Sequence, residues 1–144
     1  MYRHIVRGVV IAVAVVAMSA CSNDTLSSLT TPTTPQSFTD TFTGTLSKNG
    51  AFTHSFTTAS LGAVTAAIVN LQPTSTQIVG LSLGVWNGSA CSTSPATGGS
   101  SSDVATTGSS ITLNATAAGS LCVRLYDVGF IGDPVLYTLQ VTHP

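Results

Sequence analysis

From Phe38 onward, polar and apolar residues alternate with a period of two. In Phe38-Thr-Asp-Thr-Phe42-Thr-Gly-Thr-Leu46 the odd positions 39 to 45 are all threonine, while Phe38, Phe42 and Leu46 share the opposite face. That alternation predicts a half-buried strand. Ser47-Lys48-Asn49-Gly50 supplies a turn, and Ala51 to Thr57 reads as a return strand with Phe52 and Phe56 inward, so the two are expected to form a hairpin. Further strands are predicted at Ala63 to Leu71, Ile78 to Trp86, Ser110 to Ala115, Leu121 to Asp127 and Val135 to Thr142, with a short one near Asp103 to Thr106. Pro73, Asn87-Gly88, Gly98-Gly99, Gly119 and Gly132-Asp133-Pro134 punctuate them. Ser60 to Asn70 also has a helical reading, but Gly62 and its β-branched residues favour a strand. Seven or eight short strands with regular turn signals predict an all-β fold, an antiparallel β-sandwich spanning residues 38–144.

The chain before Phe38 has a different pattern. Arg3 and Arg7 precede an apolar run from Gly8 to Ala17, closed by Met18-Ser19-Ala20-Cys21. The run is shorter than the roughly 20 residues a spanning helix needs, and small residues precede the cut site, so residues 1–20 read as an export signal. Met18 to Cys21 resembles a lipobox, which implies that Cys21 becomes the lipid-modified first residue of a bacterial lipoprotein. Ser22 next to it resembles the pattern of outer-membrane sorting. Residues 21–37, with Thr-Thr-Pro-Thr-Thr-Pro and no apolar period, read as the lipidated cysteine and a solvated tether.

Cysteine counting fits this. Three cysteines leave an odd one to explain in an exported protein, and lipid on Cys21 leaves Cys91 and Cys122 to pair in an oxidising compartment. Two buried free thiols are the alternative. There is no C-x-x-C and no Cys/His cluster, so no zinc site is expected.

Composition sharpens the picture. Thr and Ser make up 42 of 144 residues, and Glu is absent. Threonine suits a pleated, half-exposed surface, whereas the long polar residues that fill exposed helix positions are scarce. After residue 20 the chain carries Lys48 and Arg124 against Asp24, Asp40, Asp103, Asp127 and Asp133; two minus five gives −3. With no basic patch, nucleic acid is not an expected partner.

The stretch Ala118-Gly-Ser-Leu-Cys122-Val-Arg-Leu-Tyr-Asp127, and after it Val135-Leu-Tyr-Thr-Leu139, resembles the closing strands of bacterial pre-peptidase C-terminal domains. Gly44-Thr-Leu46, Phe52, Phe56 and Gly62-Ala-Val-Thr65 agree, so the resemblance runs from about Asp40 to His143. It implies a jelly-roll-like sandwich of about eight strands, appended in that family to secreted proteases. Some relatives bind collagen or polysaccharide, and some bind calcium near the start of the domain. Here only Asp40 stands at that position.

Several residues suggest chemistry. Gly80-Leu-Ser82-Leu-Gly84 matches G-x-S-x-G, and Asp127 or Asp133 and then His143 come in the order of a hydrolase triad. The motif needs a strand-to-helix turn, though, and Ser82 lies in an alternating run that places Leu81, Leu83 and Val85 inward and Ser82 outward. His143 sits where a chain end would fray. Asp103, Asp127 and Asp133 are not spaced as a calcium loop. His54, between Phe52 and Phe56, reads as a partly buried, hydrogen-bonded imidazole, and Arg124 as an outward residue within reach of an ion pair with Asp127 or Asp133. Trp86, beside Asn87 and the loop to Asp103, is the best candidate to stack on a sugar ring or anchor a protein partner. The expected function is therefore a non-catalytic, lipid-anchored module of the cell envelope. It would bind carbohydrate or protein through Trp86 and Asn87, with no cofactor, metal or catalytic residue. The alternative is a structural envelope or assembly component without a small ligand.

Overall fold

The computed structural model describes residues 36–144. The expected signal peptide, Cys21 and most of the tether lie outside the described residues. Nine strands succeed one another: β1 (Phe38–Leu46), β2 (Ala51–Thr58), β3 (Gly62–Gln72), β4 (Val79–Trp86), β5 (Cys91–Ser92), β6 (Ser100–Ala105), β7 (Ser110–Ala115), β8 (Gly119–Tyr126) and β9 (Val135–His143). One sheet has the order β1-β9-β3-β7. The other runs β2-β8-β4, and β5 and β6 divide the far edge of β4 between them. Every pairing is antiparallel. The chain crosses between sheets at most connections, which is the connectivity of a jelly roll. Among the described residues no helix is long and apolar enough to cross a membrane.

The predicted strands are all present, and the segment from Ser60 to Asn70 is strand β3. The expected hairpin is not formed. The turn closes as expected, with Gly50 N–H donating to the Ser47 carbonyl at 2.8 Å, but β1 pairs with β9 and β2 pairs with β8. Alternation decides which face of a strand is buried and leaves its hydrogen-bonding partner open. Here two adjacent strands bury their apolar faces against each other across the sandwich, each as the edge of a different sheet.

Between the sheets lies a single core. Leu46, Val64, Ala66, Ile68, Leu71, Leu139 and Val141 come from one sheet, and Val79, Leu81, Leu83, Val123 and Leu125 from the other. Each such side chain contributes about 1.5–3 kcal/mol when fully buried. Strand β3 switches faces midway. Val64, Ala66 and Ile68 point inward at even spacing, and then a register shift between Ile68 and Asn70 brings Leu71 inward instead. The extra residue, Val69, is a β-bulge, which bends the strand and re-aims the side chains after it.

Aromatic and histidine rings close the seam between edge strands β1 and β2. His54 stacks on Phe42 with centroids 4.7 Å apart and shares a 2.8 Å hydrogen bond, Nε2 to Oη, with Tyr137. A β-carbon at Gly44 would collide with the Tyr137 ring, so glycine makes room for that hydroxyl to reach His54. Phe56 is buried as expected. Phe52 shares its face but is 43% exposed; it stands on an edge strand and reaches the opposite sheet only at the Tyr137 ring, centroids 6.1 Å apart.

Burial lowers the pKa of His54 from its ordinary 6.5. As pH falls below 6.5, the unfolded chain takes up a proton at this position that the folded chain resists, so stability drops until the folded pKa is passed. We expect stability to decline on acidification below pH 6.5, and His54→Gln to flatten that decline. Urea unfolding of both chains between pH 7.5 and 5 checks this; parallel pH profiles would exclude the role of His54.

Candidate binding groove at Trp86

From Val79 to Gly84 strand β4 is buried on both sides, which alternation alone does not foresee, whereas Val85, expected inward, is 41% exposed and lines the groove described below. The strand's other inward residues face the core. Of its outward residues, Gly80 is covered by the Tyr126 side chain of β8 and Gly84 by a second layer, the main chain at Ser92 and Thr93; Ser82 between them is buried too. A β-carbon on Gly80 would collide with the Tyr126 ring, and one on Gly84 with the Ser92 carbonyl. The two glycines of G-x-S-x-G therefore serve close packing. Ser82 points outward as expected but is only 2% exposed, and its Oγ has no hydrogen-bond partner among the described residues.

Cys91 and Cys122 hold that layer down as a disulfide, with Cα atoms 5.8 Å apart. Beyond it, Ser94 caps a single 3-10 turn at Pro95–Thr97, its Oγ accepting from Ala96 N–H, and Gly98 ends the turn at φ 81°. A left-handed φ of that kind suits glycine.

Trp86 ends β4 and is half-buried. Asn87 Oδ1 accepts from Ala90 N–H at 2.8 Å and from the Ser89 N–H and hydroxyl, so this side chain shapes the turn. Beside Trp86 lies a groove of about 410 Å³. Val85 and Trp86 form one wall, Thr97 and Gly98 of the stapled loop another, and β7 from Leu113 to Ala115, with the connection running on to Leu121, the third. Asn87 is not part of the lining. Every lining residue is uncharged. The sequence pointed to Trp86 but not to the wall from Leu113 to Leu121, which a long-range strand crossing brings alongside; its run of small residues, Thr116-Ala-Ala-Gly119, was the one local sign. The groove lies at the end of the sandwich where β1 begins and β9 finishes.

The remaining candidates are dispersed. His143 does not fray: it is 5% exposed, between Phe38 and Phe56, and its Nε2 lies 3.2 Å from Asp40 Oδ2. The side chains on either side anchor it. Asp127 is occupied by main-chain donors, Asn49 N–H on Oδ2 and those of Gly129, Phe130 and Ile131 on Oδ1. Slight desolvation raises its pKa, but these four donors outweigh it and leave the carboxyl below its ordinary value. Asp133 is exposed. Ser82, Asp127, Asp133 and His143 thus have their contacts in separate places, and the predicted triad is not assembled.

Asp103 accepts the hydroxyl proton of Tyr126. Burial first, then that bond and the aspartate's charge, push the Tyr126 pKa up to about 12. Arg124 stacks over the Tyr126 ring at 5.2 Å. The expected ion pair with Asp127 or Asp133 is not made, because residues 124 and 126 share one face of β8 and Asp127 is already filled. Among the described residues no three His, Cys, Asp or Glu side chains gather as a metal site.

No known protein family model matches the chain, and no curated protein matches it significantly.

Proposed function

We propose that this chain is a non-catalytic, lipid-anchored module of the bacterial envelope that binds an uncharged ligand, carbohydrate or a protein segment, in the groove at Trp86. The observation carrying this is the pairing of a half-buried tryptophan with an uncharged groove large enough for a ligand group. An indole beside hydroxyl and amide side chains offers a flat apolar face with polar groups at its edge, which suits a sugar ring or a protein anchor. The absence of lining charge argues against phosphates and other strong anions as the ligand. The resemblance to pre-peptidase C-terminal domains, some of which bind collagen or polysaccharide, supports the same reading, as does the lipobox-like end at Cys21 for the anchor.

The test is capture. Immobilised protein is exposed to envelope extract and to a panel of polysaccharides, beside a Trp86→Ala chain of equal stability. We expect a specific ligand whose retention falls at least tenfold in the variant. Retention unaffected by the substitution would remove Trp86 from the site. Absence of any capture would favour a structural component without a small ligand.

A further inference from the structure

We propose a second binding site, for a neutral polysaccharide, on the bare outer face of the β1-β9-β3-β7 sheet. It goes beyond the Trp86 groove and does not depend on it. Unlike the other sheet, this one has no loop laid over it where β1, β9 and β3 meet, and there it forms a shallow depression of about 350 Å³. Two cross-strand rows line it. Thr45, Leu136 and Gln72 stand side by side in one, and Thr43, Thr138 and Asn70 in the next.

The bulge at Val69 builds this site. Unbroken alternation after Ile68 would send Asn70 and Gln72 into the core and Leu71 into solvent. The extra residue reverses all three, so both amides reach the outer face beside the threonines. Elsewhere on the same face hydroxyls satisfy each other, Thr39 with Thr142 and Thr65 with Thr112, each at 3.1 Å. The five polar side chains of the depression make no side-chain hydrogen bond among the described residues. They are free donors and acceptors around one apolar side chain, Leu136, which is 54% exposed.

Chemistry selects the occupant. A nucleic acid or anionic lipid surface needs cations, and these rows carry no charge. A protein partner draws its affinity from buried aromatic or arginine anchors, and a single leucine is a poor substitute. A neutral polyol needs mixed hydroxyl and amide partners with a small apolar spot for its C–H face, which is what the two rows present.

The experiment uses the full chain extracted from membranes in detergent, run by affinity electrophoresis through dextran, pullulan, galactomannan and a soluble β-glucan, with alginate as the anionic comparison. We expect at least one neutral polymer to retard the chain. The Asn70→Ala/Gln72→Ala double variant should weaken that at least tenfold, whereas Thr65→Ala, on the same face but outside the depression, leaves it unchanged. Should the double variant lose its fold, Thr45→Val/Thr138→Val, which keeps side-chain shape and strand preference, takes its place. Retardation by no neutral polymer, by alginate alone, or equally for wild type and folded platform variants would overturn the proposal. Loss in Trp86→Ala alone would overturn it too and assign the glycan to the groove.

Discussion

Replacing Cys91 and Cys122 together by serine should lower the stability of the domain by about 3.5 kcal/mol, the chain-entropy value for a cross-link closing a loop of this length. The two cysteines are 31 residues apart in sequence. The effect should extend beyond the unfolded chain, because the disulfide pins the second layer over β4. The Ser92 carbonyl rests against Gly84, and Thr97 and Gly98 form a wall of the groove. Without the cross-link that layer is held by contacts of a short strand, Val85 with Ser92 and Trp86 with Cys91, and by the local bonds of the turn. We therefore expect urea unfolding at lower midpoint and faster amide exchange at residues 91–99, both measurable on the oxidised chain and the double serine variant. An unchanged midpoint would mean that packing alone holds the layer.

The second large effect concerns the amino-terminal end. With a diacylglyceryl group on Cys21, the chain should partition wholly into detergent on phase separation, and its amino-terminal peptide should begin at Cys21 with the added lipid mass. One acyl chain gives only marginal, reversible binding of about 10⁴ M⁻¹, whereas two chains on one residue make the attachment stable. A chain ending in an unmodified residue and found in the aqueous phase would show simple secretion instead. It would also release Cys21 as a thiol, the odd third cysteine that the lipid assignment explains.

Much of the fold was legible because period-two alternation is a direct record of burial. The threonines at 39, 41, 43 and 45 against Phe42 and Leu46 marked the faces of β1, and Gly or Pro marked nearly every connection. What alternation does not carry is pairing. Phe42 and Phe56 point into one core whether their strands are neighbours in a sheet or lie opposite each other, so a hairpin and a crossover look alike. It also misses cover from a distant segment: Gly84 alternates outward and is buried all the same, because the main chain at Ser92 and Thr93, tied by Cys91 to Cys122, lies over it. The groove shows the same divide. Trp86 stood out as the single tryptophan at a strand end, while its opposite wall, around Leu113 and Asn114, is adjacent only through the fold. The bulge at Val69 was hidden as well, although Leu71, an apolar residue out of phase with Ile68, was its trace.

Because Trp86 is the only tryptophan in the chain, its fluorescence reports on the groove alone. Ligand entry into the groove is read by an emission titration of the oxidised chain with each fraction or polysaccharide that the immobilised protein retains. Binding at Trp86 should give a saturable shift or quench of its emission with at least one retained ligand, at the concentration that half-saturates capture. Emission indifferent to every retained ligand would rule the groove out and place binding elsewhere on the sandwich.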